Sequence, residues 1–154
     1  MQFQGEWFVL GLAGNTYKRE HRTLLNPYIA LFELKNNSYF QVTNTMTRGK
    51  RCDAWFYALI PTTKPGQFTV ENKGTGADRE DVQVIETDYT NFALVLSLRQ
   101  TSSLTIIRVN LLGTQLCLSA SPLGFPMTEV SMWPFHDVGF DVPDSLVWMA
   151  PNRN

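Results

Sequence analysis

Short stretches in which apolar and polar residues alternate run along the chain as far as residue 113, and none of them keeps a strong helical period. Alternation sends successive side chains to opposite faces of an extended backbone, so it predicts strands at 7–12, 28–34, 39–46, 53–60, 67–71, 81–86, 91–99 and 104–112. Between them stand turn formers. Lys35-Asn36-Asn37-Ser38 suits a hairpin, Pro61 and Pro65-Gly66 punctuate, residues 73–78 read as a loop, and Thr101-Ser102 as a tight turn. Eight strands with short connections suit an up-and-down barrel or a sandwich. Gly5-Glu6-Trp7 at the first strand favours the barrel, because a large ring there plugs one end and the glycine is expected to leave it room to turn inward. The predicted class is all-β, an eight-stranded antiparallel up-and-down barrel, which either fills its interior or holds one small ligand.

After Gly113 the pattern changes. Pro122, Pro126, Pro134, Pro143 and Pro151 lie too close together for a long helix. Yet Phe125, Met132, Trp133, Phe135, Phe140, Val147, Trp148 and Met149 make the segment too apolar for a free solvated tail. Two parts are therefore expected: a barrel over 1–113 and an irregular, proline-rich apolar segment over 114–154.

The 154 residues can bury a real core in one domain, with 44% hydrophobic and 18% charged residues. A formal charge of −1 argues against nucleic acid, since no net positive field gathers phosphates. No apolar run is long enough to span a membrane as a helix. Met1-Gln2-Phe3-Gln4 lacks the charged start and apolar core of a leader, which fits a cytosolic chain or a mature secreted one. Lys18, Arg19, His21 and Arg22 read as a solvated loop. Cys52 and Cys117, the two cysteines, leave pairing open, and Asn36-Asn37-Ser38 is a glycosylation sequon that matters if the chain is secreted.

Gly5-x-Trp7 and Thr87-Asp88-Tyr89, at their mutual spacing, resemble the two leading motifs of the lipocalin family. Arg51-Cys52-Asp53-x-Trp55, Pro65-Gly66-x-Phe68-Thr69 and Leu111-Leu112-Gly113 are similar to its neutrophil and epididymal branch, in particular the epididymal-specific retinoid-binding members. The likeness covers residues 3–113. Beyond it the chain departs. The family places an arginine over the plugging tryptophan where Gly113 is followed here by Thr114. It then runs a helix along the barrel wall and returns a cysteine to the counterpart of Cys52. Cys117 is not at that returning position, so the partner of Cys52 stays open.

The resemblance implies a ligand-binding inner surface of Tyr28, Asn44, Met46, Trp55 and Tyr57, with Ser97, Arg99, Ile106, Arg108 and Leu112 from the last hairpin. A turn at Thr101-Ser102 sets Arg99 opposite Leu104, Ser97 opposite Ile106 and Val95 opposite Arg108, and alternation puts both arginines on one face. Parity alone gives that face to solvent, because the other carries Phe92, Leu94, Leu96, Leu98, Ile107, Val109 and Leu111. The resemblance implies the reverse, with the arginines inside to meet anionic ligand groups. An inward arginine is costly unless paired, and a ligand carboxylate would pair it.

The expected function is transport of a small lipophilic ligand, a retinoid such as retinoic acid, by a secreted monomer without cofactor or metal. Fatty acids or steroids are alternative ligands. Siderophore capture in the neutrophil branch uses three cations, and Tyr57 takes one of those positions here. Catalysis, as in the prostaglandin-isomerising branch, needs a cysteine near Tyr28, and none lies there; His21 and His136 have no visible partner in base catalysis. The remaining alternative is a variant that binds nothing and self-associates through an uncovered barrel wall.

Overall fold

The computed structural model describes residues 3–16, 28–71, 78–115 and 146–148. Eight strands follow one another as a meander: β1 (Gly5–Gly14), β2 (Tyr28–Lys35), β3 (Tyr39–Arg48), β4 (Arg51–Pro61), β5 (Gln67–Val70), β6 (Arg79–Thr87), β7 (Phe92–Gln100) and β8 (Thr105–Gly113). Each pairs antiparallel with the next, and β1 closes the ring by pairing with both β2 and β8. Gly5 to Val9 face β2, and Phe8 to Gly14 face β8. A bulge between Val9 and Gly11 bends β1 from one neighbour toward the other. This is the predicted eight-stranded barrel, and no helix occurs among the described residues.

Alternation explains which side chains fill it. Trp7, Val9, Ala30, Phe32, Phe40, Val42, Leu59, Val82, Ala93 and Leu112 form one buried cluster on the inner face. The rings pack edge to face in its lower half, with Phe32 6.5 Å and Phe68 6.0 Å from Phe40. Trp7 is sealed there, its Nε1 donating to the Phe3 carbonyl at 3.3 Å and its indole stacked on Phe3 at 5.0 Å.

The glycine of the first motif has a different reason from the expected one. A Cβ on Gly5 would meet nothing within 4 Å, so room for the indole is not the constraint. Its φ of 122° is, because side-chain-bearing residues rarely adopt it.

The second motif builds the connection from β6 to β7. Asp88 accepts the backbone N–H groups of Thr90, Asn91 and Phe92 and the side-chain amide of Asn91. Slight desolvation would raise the Asp88 pKa, but these donors outweigh it and hold the carboxyl well below the usual range. Thr87 Oγ1 donates to the Phe92 carbonyl at 2.6 Å and accepts from Tyr89 N–H. Thr114 joins the same loop, its N–H reaching the Asn91 carbonyl and its hydroxyl the Thr90 carbonyl.

Three further details differ from expectation. The last hairpin turns over Thr101 to Leu104, closed by Thr101 N–H on the Leu104 carbonyl, so Arg99 faces Ile106 and Ser97 faces Arg108. The shift is an even number of residues, so both arginines keep their shared face. β6 starts two residues earlier than the expected 81, which brings Glu80 into the wall. Within the segment expected to be irregular, β9 (Leu146–Trp148) pairs antiparallel with Gly11 to Ala13. Of that segment only Thr114, Gln115 and β9 are described; Cys117 and the basic loop at 17–27 lie outside the described residues.

Candidate functional site

The inner chamber is shaped by side chains that each strand presents every second residue. Tyr28 from β2, Asn44 from β3, and Trp55 and Tyr57 from β4 form one side. Val95 and Ser97 from β7 and Arg108 and Asn110 from β8 form another, with Glu80 and Val82 of β6 between. The register explains the grouping, because Asn44 lies opposite Trp55 and Ser97 opposite Arg108. The rings of Tyr28 and Trp55 meet at 5.2 Å. This chamber has a volume of about 130 Å³. A second hollow of about 180 Å³ is lined by Glu71, Asp78 and Arg99, and Val70 and Glu80 line both.

Of the ten residues expected on the ligand-binding surface, six line the inner chamber: Tyr28, Asn44, Trp55, Tyr57, Ser97 and Arg108. Arg99 lines the neighbouring hollow. Ile106 faces Arg99 across the hairpin, half-buried. Leu112 belongs to the buried cluster deeper in the barrel, and Met46 is buried on β3. Both guanidiniums therefore belong to the inner face, though neither is sealed: the Arg108 side chain keeps 36% of its exposure and Arg99 44%.

Each arginine already has a carboxylate partner, which the alternation of apolar and polar residues did not announce. Arg99 Nη2 donates to Asp78 Oδ2 at 2.8 Å. Arg108 Nη2 stands 3.6 Å from Glu80 Oε1, and the same oxygen accepts the Ser97 hydroxyl at 2.6 Å. Negative charge on β6 and on Asp78 just before it thus balances inward charge on β7 and β8. One signal for Glu80 does exist in the strand period: two residues before inward Val82 lies Glu80.

Two buried polar atoms in the chamber lack hydrogen-bond partners among the described residues, the donor Asn44 Nδ2 and the acceptor Asn110 Oδ1. Buried polar groups without partners are rare and costly, so their convergence marks the chamber as a place for a polar group. Burial, and next the Glu80 carboxylate, push the Tyr57 phenol up to about 12, against the pull of Asn44 and Arg108. No grouping of three or more His, Cys, Asp or Glu suited to a metal occurs among the described residues.

Cys52 is exposed near the start of β4. Asn36 is exposed in the β2–β3 turn. The outer face of β7 and β8 is buried at Phe92, Leu94, Val109 and Leu111, so the apolar side of the hairpin is covered at those positions. A wider hollow of about 550 Å³ lies by the β4–β5 loop, among Phe3, Phe40, Phe68 and Tyr89. Thr62, Thr63, Lys64 and Gln67 of the loop add polar groups to its rim.

Comparison with known proteins agrees with this architecture. Residues 4–120 match the model of the lipocalin / cytosolic fatty-acid binding protein family. The chain is 70% identical over 120 residues to mouse epididymal-specific lipocalin-12, covering 77% of this chain and 62% of that protein. It is 34% identical over 114 residues to human neutrophil gelatinase-associated lipocalin, covering 73% and 58%. The chain thus spans about three fifths of the length of these curated relatives. The solution structure of lipocalin 12 from rat epididymis is 66% identical, superposes with a TM-score of 0.71, and covers 77% of this chain and 69% of that one. The closed eight-stranded barrel, the two motifs at its base and the family match make one conclusion: this chain belongs to the lipocalin family.

Proposed function

We propose that this chain is an extracellular, monomeric carrier of a small lipophilic ligand, a retinoid such as retinoic acid, and that it acts by binding rather than by catalysis. The observation that carries the reading is the pair of inward guanidiniums beside a chamber walled by aromatic rings, valines and polar side chains, with two buried amide atoms that lack partners among the described residues. A retinoid has an apolar body and one polar end. Burying roughly 400 Å² of such a body provides about 10 kcal/mol of gross driving force at ~25 cal/mol per Å². Ordering costs reduce this to the micromolar or sub-micromolar range. Its carboxylate would pair with Arg108.

Secretion fits the relationship to epididymal-specific and neutrophil lipocalins. In that setting Asn36, exposed on its turn, is an accessible glycosylation acceptor, and Cys52 is a thiol available to a disulfide. Tyr28 stands where the isomerase branch would need its cysteine, which supports binding over catalysis. A siderophore is the weaker reading, because Tyr57 takes one of the three cationic positions that the neutrophil branch uses.

Trp55 lines the chamber, so titrating retinoic acid against its fluorescence tests the proposal. Saturable quenching is expected, lost in Trp55→Phe. Arg108→Ala should weaken binding by tenfold or more, since it removes the cation and leaves Glu80 facing the ligand's charge. Absence of quenching, or unchanged affinity in Arg108→Ala, would overturn the reading.

A further inference from the structure

Glu80 enters the carrier reading only as the partner of Arg108, yet it stands between the two hollows. It lines both the inner chamber and the neighbouring hollow, so it forms part of the boundary between them. It is held in place from two sides, by the Ser97 hydroxyl at 2.6 Å and by Arg108 at 3.6 Å. Neither hollow alone reaches the roughly 300 Å³ at which pockets begin to accept drug-sized ligands. A ligand longer than a head group that is seated in the inner chamber must therefore extend beyond it, and the neighbouring hollow lies past the Glu80 side chain.

The chemistry at that boundary discriminates between head groups. A ligand carboxylate entering the chamber needs Arg108, and Glu80 already occupies one side of that guanidinium. Two carboxylates around one cation repel each other, and in a partly desolvated chamber that repulsion is poorly screened. A hydroxyl makes no such demand. It has a proton to donate to Asn110 Oδ1, a buried acceptor without a partner among the described residues. A carboxylate has no proton to give Asn110 Oδ1. The raised Tyr57 pKa agrees, since its main cause is burial, with the Glu80 carboxylate adding to it.

We propose that Glu80 is the specificity-determining residue of the barrel: a built-in competitor for a ligand's carboxylate that sets the relative affinity for the acid and alcohol forms of one apolar body. This rests on the carrier reading above and refines it. Glu80 does not decide whether a retinoid enters. It decides how strongly the charged form is held relative to the uncharged one. Ser97 is its positioning residue, because its hydroxyl fixes the carboxylate oxygen that faces Arg108.

The test is the ratio of retinoic acid affinity to retinol affinity, measured by Trp55 quenching in the wild-type chain and in Glu80→Gln. Glutamine keeps the shape and removes the charge, and the ratio is expected to move about tenfold toward the acid. Ser97→Ala, which unfastens Glu80 without removing it, should move the ratio the same way by less, and serves if Glu80→Gln does not fold. Asp81→Asn removes a charge one residue along the same strand, where Asp81 pairs with Arg79, and should leave the ratio at the wild-type value. A ratio unmoved in both Glu80→Gln and Ser97→Ala, or moved equally by Asp81→Asn, overturns the proposal while the carrier reading stands. Binding of neither retinoid by any of these proteins overturns the carrier reading, and the proposal with it.

Discussion

Burial first, and then the Glu80 carboxylate, raise the pKa of Tyr57, against the pull of the Asn44 amide and the Arg108 guanidinium. The fold raises its pKa from 10.0 to about 12. Below pH 10 both folded and unfolded chains keep the phenol proton, and Tyr57 adds no pH dependence. Between pH 10 and 12 the unfolded chain releases a proton that the folded chain retains, so stability falls as pH rises through that window. Tyr57→Phe should flatten this part of a stability-against-pH curve from urea denaturation, by at most about 2 kcal/mol once partial exposure is allowed for. At this scale the sequence was half legible. The inner residues expected on β2, β3 and β4 came from the resemblance to the lipocalin family, not from alternation. Glu80 and Asp78 did not, because a charged residue at an inward position looks in the sequence like one at an outward position, and 73–78 carries loop chemistry. Gly5 was identified, but its reason lay in a backbone angle that composition does not reveal.

Turns decide how the strands meet. Asn36 and Asn37 both adopt φ of 50°, and Ser38 N–H closes the β2–β3 turn on the Lys35 carbonyl at 2.9 Å. Asparagine tolerates this left-handed region better than residues without a short polar side chain. Asn36→Ala and Asn37→Ala should each lower stability by about 1 kcal/mol, and Asn37→Gly should not. Unglycosylated protein in urea denaturation isolates this effect from loss of the sequon. The same scale shows why the last hairpin escaped the sequence. Thr101-Ser102 has the chemistry of a two-residue turn. The Thr101 side chain, however, accepts from Leu104 N–H and donates to its carbonyl, which stretches the loop to four residues. Face survived and register did not, because a shift of two residues preserves parity.

The barrel as a whole was legible because its signals agree: alternation in eight segments, turn residues between them, and a ring at one end. Its closed half is held by packing. Phe40 is 1% exposed and bridges Phe32 and Phe68, so Phe40→Ala should cost about 3–5 kcal/mol, read from the denaturation midpoint. Leu104→Ala, at an exposed hairpin tip, should stay within about 0.5 kcal/mol. What composition could not show was the seam. β1 leaves β2 after Val9, and from Gly11 to Ala13 the vacated edge is taken by β9. Residues far apart along the chain are therefore stitched side by side, and β8 must also arrive before the ring shuts. A polypeptide emerging from the ribosome can form the β2–β3 and β3–β4 hairpins early. It must then hold β1 with an open flank until the distant end of the chain has been synthesised.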